Sequence, residues 1–252
     1  MSIIKWGLAL GILGGGGFLA YKAFSGGQKR LPARGGNDMT KNINEAAGAA
    51  AGAAVAVVER TISEAYTNVL PARAAWLVDP VLVAANRHGV NPALMFSVLQ
   101  WESDFGKALT MPDGTKKHEG PATARGTGDF GARPGRQPPP YGRGWGHGPF
   151  QIDFGAHRAF IDSDDWEDIY KAADYATKLM AQNFKSARNA GLTGERLVTA
   201  AVAAYNTGWG NVTKSLTAGR SPDATTTGGN YGTKVANTAA GLLSFIGGGS
   251  LA

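Results

Sequence analysis

The amino-acid sequence predicts a mainly α-helical fold, with one domain of moderate size and shorter appendages. Apolar residues recur at helical spacing in several segments, and Asp-Pro and Asn-Pro pairs, which favour helix starts, precede two of them. No segment shows a convincing strand-like alternation of apolar and polar residues. Hydrophobic residues make up 43% of the 252 residues, which is enough for a core and excludes a wholly disordered chain.

Residues 1–26 predict a transmembrane anchor. No charged side chain occurs between Trp6 and Tyr21, and the apolar stretch 3–24 approaches the roughly 20 residues that span a bilayer. Lys5 and Lys22 bracket it, as is typical of membrane interfaces. A cleaved signal peptide is the alternative. More basic residues follow the span than precede it, which favours a cytoplasmic location for the carboxy-terminal part.

Two appendages are predicted between the anchor and the domain. A polar linker at 27–44 lacks periodicity, and an Ala-rich helix is predicted at 45–70. Within that helix, Gly48 and Gly52 form a small-residue face suited to contact with another helix. Helix packing is the expected role, and a second dip into the membrane is the weaker alternative.

Four helices are predicted in the domain itself, each with a recognisable start or stop. The stops are glycines or an Asn-Thr-Gly sequence, and the third helix is acidic at its start and basic at its end, as the helix dipole favours. The helices run from Asp79, as the N-cap, to Gly89, from Asn91 to Gly106, from the acidic cluster 163–168 to Gly191, and from about Glu195 to Tyr205.

Glu102 is the most informative titratable residue in the sequence. Met95, Val98 and Leu99 form the inward stripe of its helix, and Glu102 is the next position on that stripe. Burial disfavours the charged form of a carboxyl and raises its pKa, which suits a general acid at neutral pH. On periodicity alone, a glutamate that reaches water from the helix end is the competing interpretation.

Four sequence motifs occur in a fixed order around Glu102. They are DPVLVAANRHGVNPALMFSVLQWESDFG from Asp79, GWGHGPFQIDFGAH from Gly144, AAYNTGWGNV from Ala203 and NYGTKV from Asn230. Together they resemble the lysozyme-like catalytic domain of soluble lytic transglycosylases and goose-type lysozymes. The resemblance implies a lysozyme-like domain over 71–240, followed by a flexible tail at 241–252.

The resemblance also implies roles for individual residues. The family's catalytic acid matches Glu102, and an aspartate of goose-type lysozymes matches Asp153 as a second catalytic carboxylate. The residues expected to bind substrate or support the acid are Ser103, Gln151, Tyr205, Asn206 and Tyr231.

The sequence departs from the family pattern in the glycan cleft. Pro149 and Phe150 replace its Leu-Met pair, and Gly142 falls where another goose-type aspartate would lie. That acidic partner is therefore lost or relocated, with Asp129 as the candidate. The Gly- and Pro-rich loop at 111–148 predicts neither helix nor strand; it is a basic flap over the cleft or a tolerated insertion.

The resemblance predicts cleavage of the β-1,4 bond between N-acetylmuramic acid and N-acetylglucosamine in peptidoglycan. The missing aspartate favours the lytic transglycosylase route to a 1,6-anhydro product, whereas Asp153 leaves hydrolysis open. A glycan-binding structural membrane protein without activity and a membrane-disrupting protein are the rival classes.

The expected partners are glycan strands and, through 3–24, a lipid bilayer. A nucleic-acid partner is not expected, because the basic residues are scattered. No cofactor is expected either, since the four histidines show no metal-ligand spacing. Similar enzymes with a hydrophobic segment occur in membrane-containing bacteriophages, so a virion location is favoured over the bacterial envelope.

Overall fold

The structure is a computed structural model, and it describes residue 53 and residues 56–116, 119–247 and 250–251. The predicted anchor, the linker and the small-residue face at Gly48 and Gly52 lie outside these residues. The chain divides into two compact units. Helical residues 56–69 belong to one, and Leu70–Ser244 form the core of the other, which carries every candidate site residue.

The larger unit is mainly helical, as predicted. Short 3-10 turns lie before and between its α-helices, among them Ala72–Leu77, Pro121–Arg125 and Pro222–Thr225. The α-helices are α1 (Val78–His88), α2 (Pro92–Ser103), α3 (Arg158–Asp162), α4 (Ile169–Asn189), α5 (Gly194–Thr207), α6 (Trp209–Thr217) and α7 (Tyr231–Ile246), which extends beyond Ser244.

Local capping residues set several helix ends. Asn91 caps α2 by accepting a hydrogen bond from the Ala93 amide at 3.0 Å, with Pro92 in the first helical position. Gly89 ends α1 in the left-handed conformation, with φ 65°. Asp168 accepts from the first-turn amides of α4. The expected cap at Asp79 is wrong: it lies in the first turn of α1, and its carboxylate accepts from the Tyr170 hydroxyl instead.

The core of the unit is built on three adjacent helices. These are α1, α4 and α5, with α4 packed against both of the others. Helix α2 packs against α1. Every residue of α2 from Ala93 to Leu99 is buried. The Glu102 end of this helix therefore emerges from the middle of the core, which fixes the position of the residues that follow.

A small antiparallel sheet lies beside the helices. Its strands are β1 (Thr127–Gly128), β2 (Gly146–His147) and β3 (Ile152–Asp153), paired in the order β1-β2-β3. The first two strands lie in the 111–148 segment, where the sequence predicted neither helix nor strand. Strands of two residues are too short to show alternation, which explains why periodicity missed them.

Two further boundaries differ from the sequence prediction. Helix α7 continues to Ile246, so residues 241–246 of the predicted tail are helical. The Asn-Thr-Gly sequence does end α5, but α6 begins at once after Gly208, whose φ is 83°. Within the described residues, none of the helices combines the length and apolarity needed to cross a bilayer.

Candidate active site

Glu102 lies in the last turn of α2, at the end of the buried stripe. Met95, Val98 and Leu99 are fully buried, whereas the Glu102 side chain keeps partial access to solvent. Burial of the carboxyl raises its pKa from the ordinary value of 4.5 to about 7, and a hydrogen bond from Tyr231 opposes part of that rise. Near neutral pH, both the protonated and the ionised forms of Glu102 are therefore populated.

Tyr231 is the direct partner of Glu102. Its hydroxyl donates to Glu102 Oε1 at 2.5 Å, joining two residues that are 129 positions apart in sequence. Burial and the neighbouring Glu102 charge raise the pKa of the Tyr231 phenol well above its usual range. Tyr231 therefore stays protonated and donates to whichever form the carboxyl adopts.

Tyr205 adds a second phenol to the same site. Burial raises its pKa well above the ordinary value, and the charge on Glu102 raises it further. Its hydroxyl donates to the carbonyl oxygen of Phe150 at 2.9 Å. Tyr205 is thus close enough to Glu102 for the two side chains to interact electrostatically. Through Phe150 it also contacts the segment that contains the second motif, GWGHGPFQIDFGAH.

Asp223 holds Tyr231 in place. This carboxylate is 1% exposed and accepts from the Gly232 amide at 2.6 Å and the Thr233 amide at 2.8 Å, in the first turn of α7. The Thr233 and Thr226 hydroxyls donate to it as well. A buried charge with this many donors is well satisfied, and it fixes the helix start from which Tyr231 reaches Glu102.

Gly232 permits this arrangement. A Cβ at this position would lie 2.5 Å from the carbonyl oxygen of Thr199 and 2.8 Å from Asp223 Oδ1. Only glycine allows α7 to approach α5 this closely, so the residue next to Tyr231 contributes to the geometry through the absence of a side chain.

Ser103 connects the end of α2 to the segment 144–154. Its hydroxyl is 1% exposed, donates to the carbonyl oxygen of Pro149 at 2.7 Å and accepts from the Gly106 amide at 2.9 Å. The hydroxyl is thus used inside the protein. These contacts make Ser103 a residue that fixes the end of α2, next to Glu102, against Pro149.

Gln151 lies over the small sheet in a strained backbone conformation, with φ 50°. Its amide nitrogen donates to the carbonyl oxygen of Gly148 at 2.9 Å. A Cβ at either Gly128 or Gly146 would collide with the Gln151 amide. The glycines of β1 and β2 therefore make room for this side chain.

Asp153 forms an ion pair with Arg133. Arg133 Nη1 lies 2.5 Å from one of its oxygens, and the Ala156 amide donates to the other at 2.9 Å. Arg133 also binds Asp129 at 2.6 Å and stacks over the Trp145 ring, 4.4 Å from its centroid.

Asn206 braces the site from the end of α5. Its Oδ1 accepts from the Thr227 amide at 3.0 Å, just before α7. Within the described part of the chain, its Nδ2 makes no hydrogen bond and remains a donor for a ligand. Asn206 thus links the α5 and α7 sides of the site.

The turn after Glu102 is conformationally costly. Asp104 and Phe105 both have positive φ, 49° and 58°, which is unusual for Phe in particular. Arg73 holds the turn through a 2.6 Å ion pair with Asp104. Such strain, supported by neighbouring contacts, is concentrated at functional sites in proteins.

The structure thus brings Glu102, Tyr205 and Tyr231 together, with Ser103 next to Glu102 and Asn206 next to Tyr205. Gln151 lies over the small sheet, one residue beyond the Phe150 carbonyl that Tyr205 contacts. Asp153 is paired with Arg133 instead. Neither Asp223 nor Arg133 was predicted from the sequence. Asp223 contacts the start of a helix eight residues further on, and Ser221-Pro222 before it indicates only a turn. The i,i+4 spacing of Asp129 and Arg133 does not reveal the second contact of Arg133, with Asp153.

Among the described residues, no group of three or more His, Asp or Glu side chains could hold a metal ion. A scan of the chain against protein-family models finds no match, and a search of curated proteins finds none with significant sequence similarity. The functional interpretation therefore depends on the geometry and the motifs.

Proposed function

We propose that the larger unit is a lysozyme-like domain that cleaves the β-1,4 bond between N-acetylmuramic acid and N-acetylglucosamine in peptidoglycan. The observation that carries the proposal is the Glu102–Tyr231 pair. It supplies a carboxyl with a pKa of about 7 and a phenol fixed on it at 2.5 Å. The four motifs, in the family's order, supply the substrate class.

Glu102 acts first as the general acid. Its proton passes to the glycosidic oxygen as the bond to C1 breaks and an oxocarbenium-like centre develops. The carboxylate left behind accepts the Tyr231 hydrogen bond, which favours the charged form. Because its pKa is raised, Glu102 still carries a proton to donate near neutral pH. The Tyr231 phenol then stabilises the carboxylate that forms when this proton is transferred.

Glu102 then acts as the base of a lytic transglycosylase. It removes the proton of the sugar's own 6-hydroxyl, and O6 bonds to C1 to form the 1,6-anhydro ring. Glu102 is protonated again, and no water is consumed. Hydrolysis would instead need a second carboxylate to activate water. The Arg133–Asp153 pair supports the anhydro route, because Arg133 and the Ala156 amide occupy both oxygens of the carboxylate that hydrolysis would need to hold a water.

The remaining site residues fit substrate binding and support. Asn206 offers an amide donor beside Tyr205, and Gln151 presents its side chain from the small sheet. Ser103 and Asp223 are positioning residues, since their polar atoms are used inside the protein.

Anchoring and location belong to the same proposal. Residues 3–24 would insert into a bilayer, and Gly48 and Gly52 would contact another helix. The location that fits an anchored wall-cutting enzyme is the virion of a membrane-containing bacteriophage, where it would open the wall during genome delivery or lysis. Detection of the chain in purified particles tests this part.

Mass spectrometry of the fragments released from purified cell walls tests the reaction. We expect the full chain to release muropeptides with 1,6-anhydro ends. Fragments with reducing ends alone would indicate hydrolysis and overturn the anhydro route. Glycan binding without any released fragment would indicate the structural class of protein and overturn the enzymatic proposal.

A further inference from the structure

Trp101 immediately precedes Glu102 on α2 and is unusually exposed for a tryptophan. Its side chain is 45% exposed, although the helix on which it lies is otherwise largely buried. The indole Nε1 donates to Thr238 Oγ1 at 3.0 Å, which fixes the orientation of the ring. An aromatic face held rigidly in contact with solvent is a preorganised binding surface.

Lys234 lies over this ring. Its Nζ is 5.2 Å from the Trp101 ring centroid, within the range of a cation–π contact. Among the residues that the structure describes, Lys234 has no ion-pair partner. Its ammonium is therefore available to an anionic group on a ligand that rests against the indole.

Glu102 and Trp101 contact the same face of α7. Tyr231, Lys234 and Thr238 are spaced by three and four residues, so they form one stripe along the helix. Tyr231 contacts Glu102, whereas Lys234 and Thr238 contact Trp101. With a rise of about 1.5 Å per residue, Thr238 lies roughly 10 Å along the helix from Tyr231. A glycan strand bound at Glu102 can extend along this stripe.

We propose that Trp101 and Lys234 form a subsite for one sugar of the glycan strand and a carboxylate of its stem peptide. The apolar face of a pyranose ring stacks on the indole, and the ammonium pairs with the carboxylate. This inference deepens the proposed function and rests on it. Trp101 and Lys234 lie within two of the four motifs, but the family resemblance gives neither of them a role. The inference assigns both of them contacts with the substrate.

Binding to a chain that cannot cleave tests the subsite separately from catalysis. The full chain carrying Glu102→Gln is titrated calorimetrically with chitotetraose, which is neutral, and with a peptidoglycan tetrasaccharide that bears stem peptides. Adding Trp101→Ala should weaken binding of both ligands by about tenfold, or about 1.4 kcal/mol. Trp101→Phe, which keeps an aromatic face, should restore most of the affinity.

Lys234→Gln separates the carboxylate contact from the stacking contact. It should weaken binding of the peptide-bearing ligand several-fold and leave chitotetraose unchanged. Val83→Ala, which removes exposed apolar surface from α1, is the matched control and should change neither affinity. Equal weakening of both ligands by Lys234→Gln would overturn the carboxylate contact.

Unchanged binding in the Trp101→Ala variant would overturn the stacking contact, as would equally poor binding by Trp101→Phe and Trp101→Ala. Thermal denaturation of each variant checks that the domain is folded. Failure of the parent chain to release muropeptides would count against the enzymatic proposal, whereas these titrations report on the subsite alone.

Discussion

The raised pKa of Glu102 has a consequence for stability that needs no substrate to measure. Its pKa is about 7 in the folded protein, against an ordinary value of 4.5 that applies when the chain unfolds. Between these values the folded state holds a proton that the unfolded state has released. The stability that this group contributes is therefore fully present below about pH 4.5 and is lost as pH rises through about 7.

Glu102→Gln removes this titration while it keeps a side chain of the same shape. The difference between the two pKa values corresponds to about 3 kcal/mol, which is an upper value because Glu102 is not fully buried. We expect the variant to gain stability relative to the unmodified chain on going from pH 4.5 to pH 8, by about 1–3 kcal/mol.

Urea denaturation of both chains at pH 4.5, 6 and 8 measures the difference. Glu195→Gln, which removes an exposed carboxyl from the first turn of α5, controls for the loss of one negative charge. A stability difference between the Glu102→Gln variant and the parent that does not vary with pH would refute the assignment of a raised pKa to Glu102.

Three further variants test the residues that support Glu102 and the role of Asp153. Tyr231→Phe removes the hydrogen bond that lowers the pKa of Glu102, so the midpoint of the pH–activity profile should move upward by about one pH unit; a downward or absent shift contradicts this. Asp223→Asn leaves a buried amide poorly satisfied, and urea denaturation should give a loss of about 1–3 kcal/mol. The same variant should move the pH–activity midpoint as Tyr231→Phe does, and a loss of stability with an unchanged midpoint would show that Asp223 does not position Tyr231. Asp153→Asn should leave the rate of wall cleavage within a few-fold, whereas a fall of about 100-fold or more would be expected of a general base.

The helices with local signals were predictable from the sequence. Asn91 and Pro92 start α2, Gly89 stops α1, and the stripe that ends at Glu102 follows from helical spacing. These features depend on residues within a few positions of one another. The helical character of the domain and the burial of the Met95–Val98–Leu99 stripe therefore follow from the amino-acid sequence alone, whereas burial of the other side of α2 between Ala93 and Leu99 does not.

The features that were not predictable depend on long-range contacts. Asp223 caps a helix that begins eight residues later, and Arg133 pairs not only with Asp129, at i,i+4 spacing, but also with Asp153, to which no local spacing points. The two-residue strands are too short to show an alternation of apolar and polar residues. Helix α6 begins directly after Gly208, a residue whose type indicates only the end of α5. The partnership of Glu102 with Tyr231 required the resemblance to a family, because nothing local connects residues 129 positions apart.

The most direct measurement is the rate at which muropeptides are released from purified cell walls by the full chain and by its Glu102→Gln variant, at the pH where the parent is most active. We expect release by the parent, and loss of at least about 100-fold in a variant that stays folded, as removal of a general acid predicts. Equal release by both chains would contradict the role of Glu102.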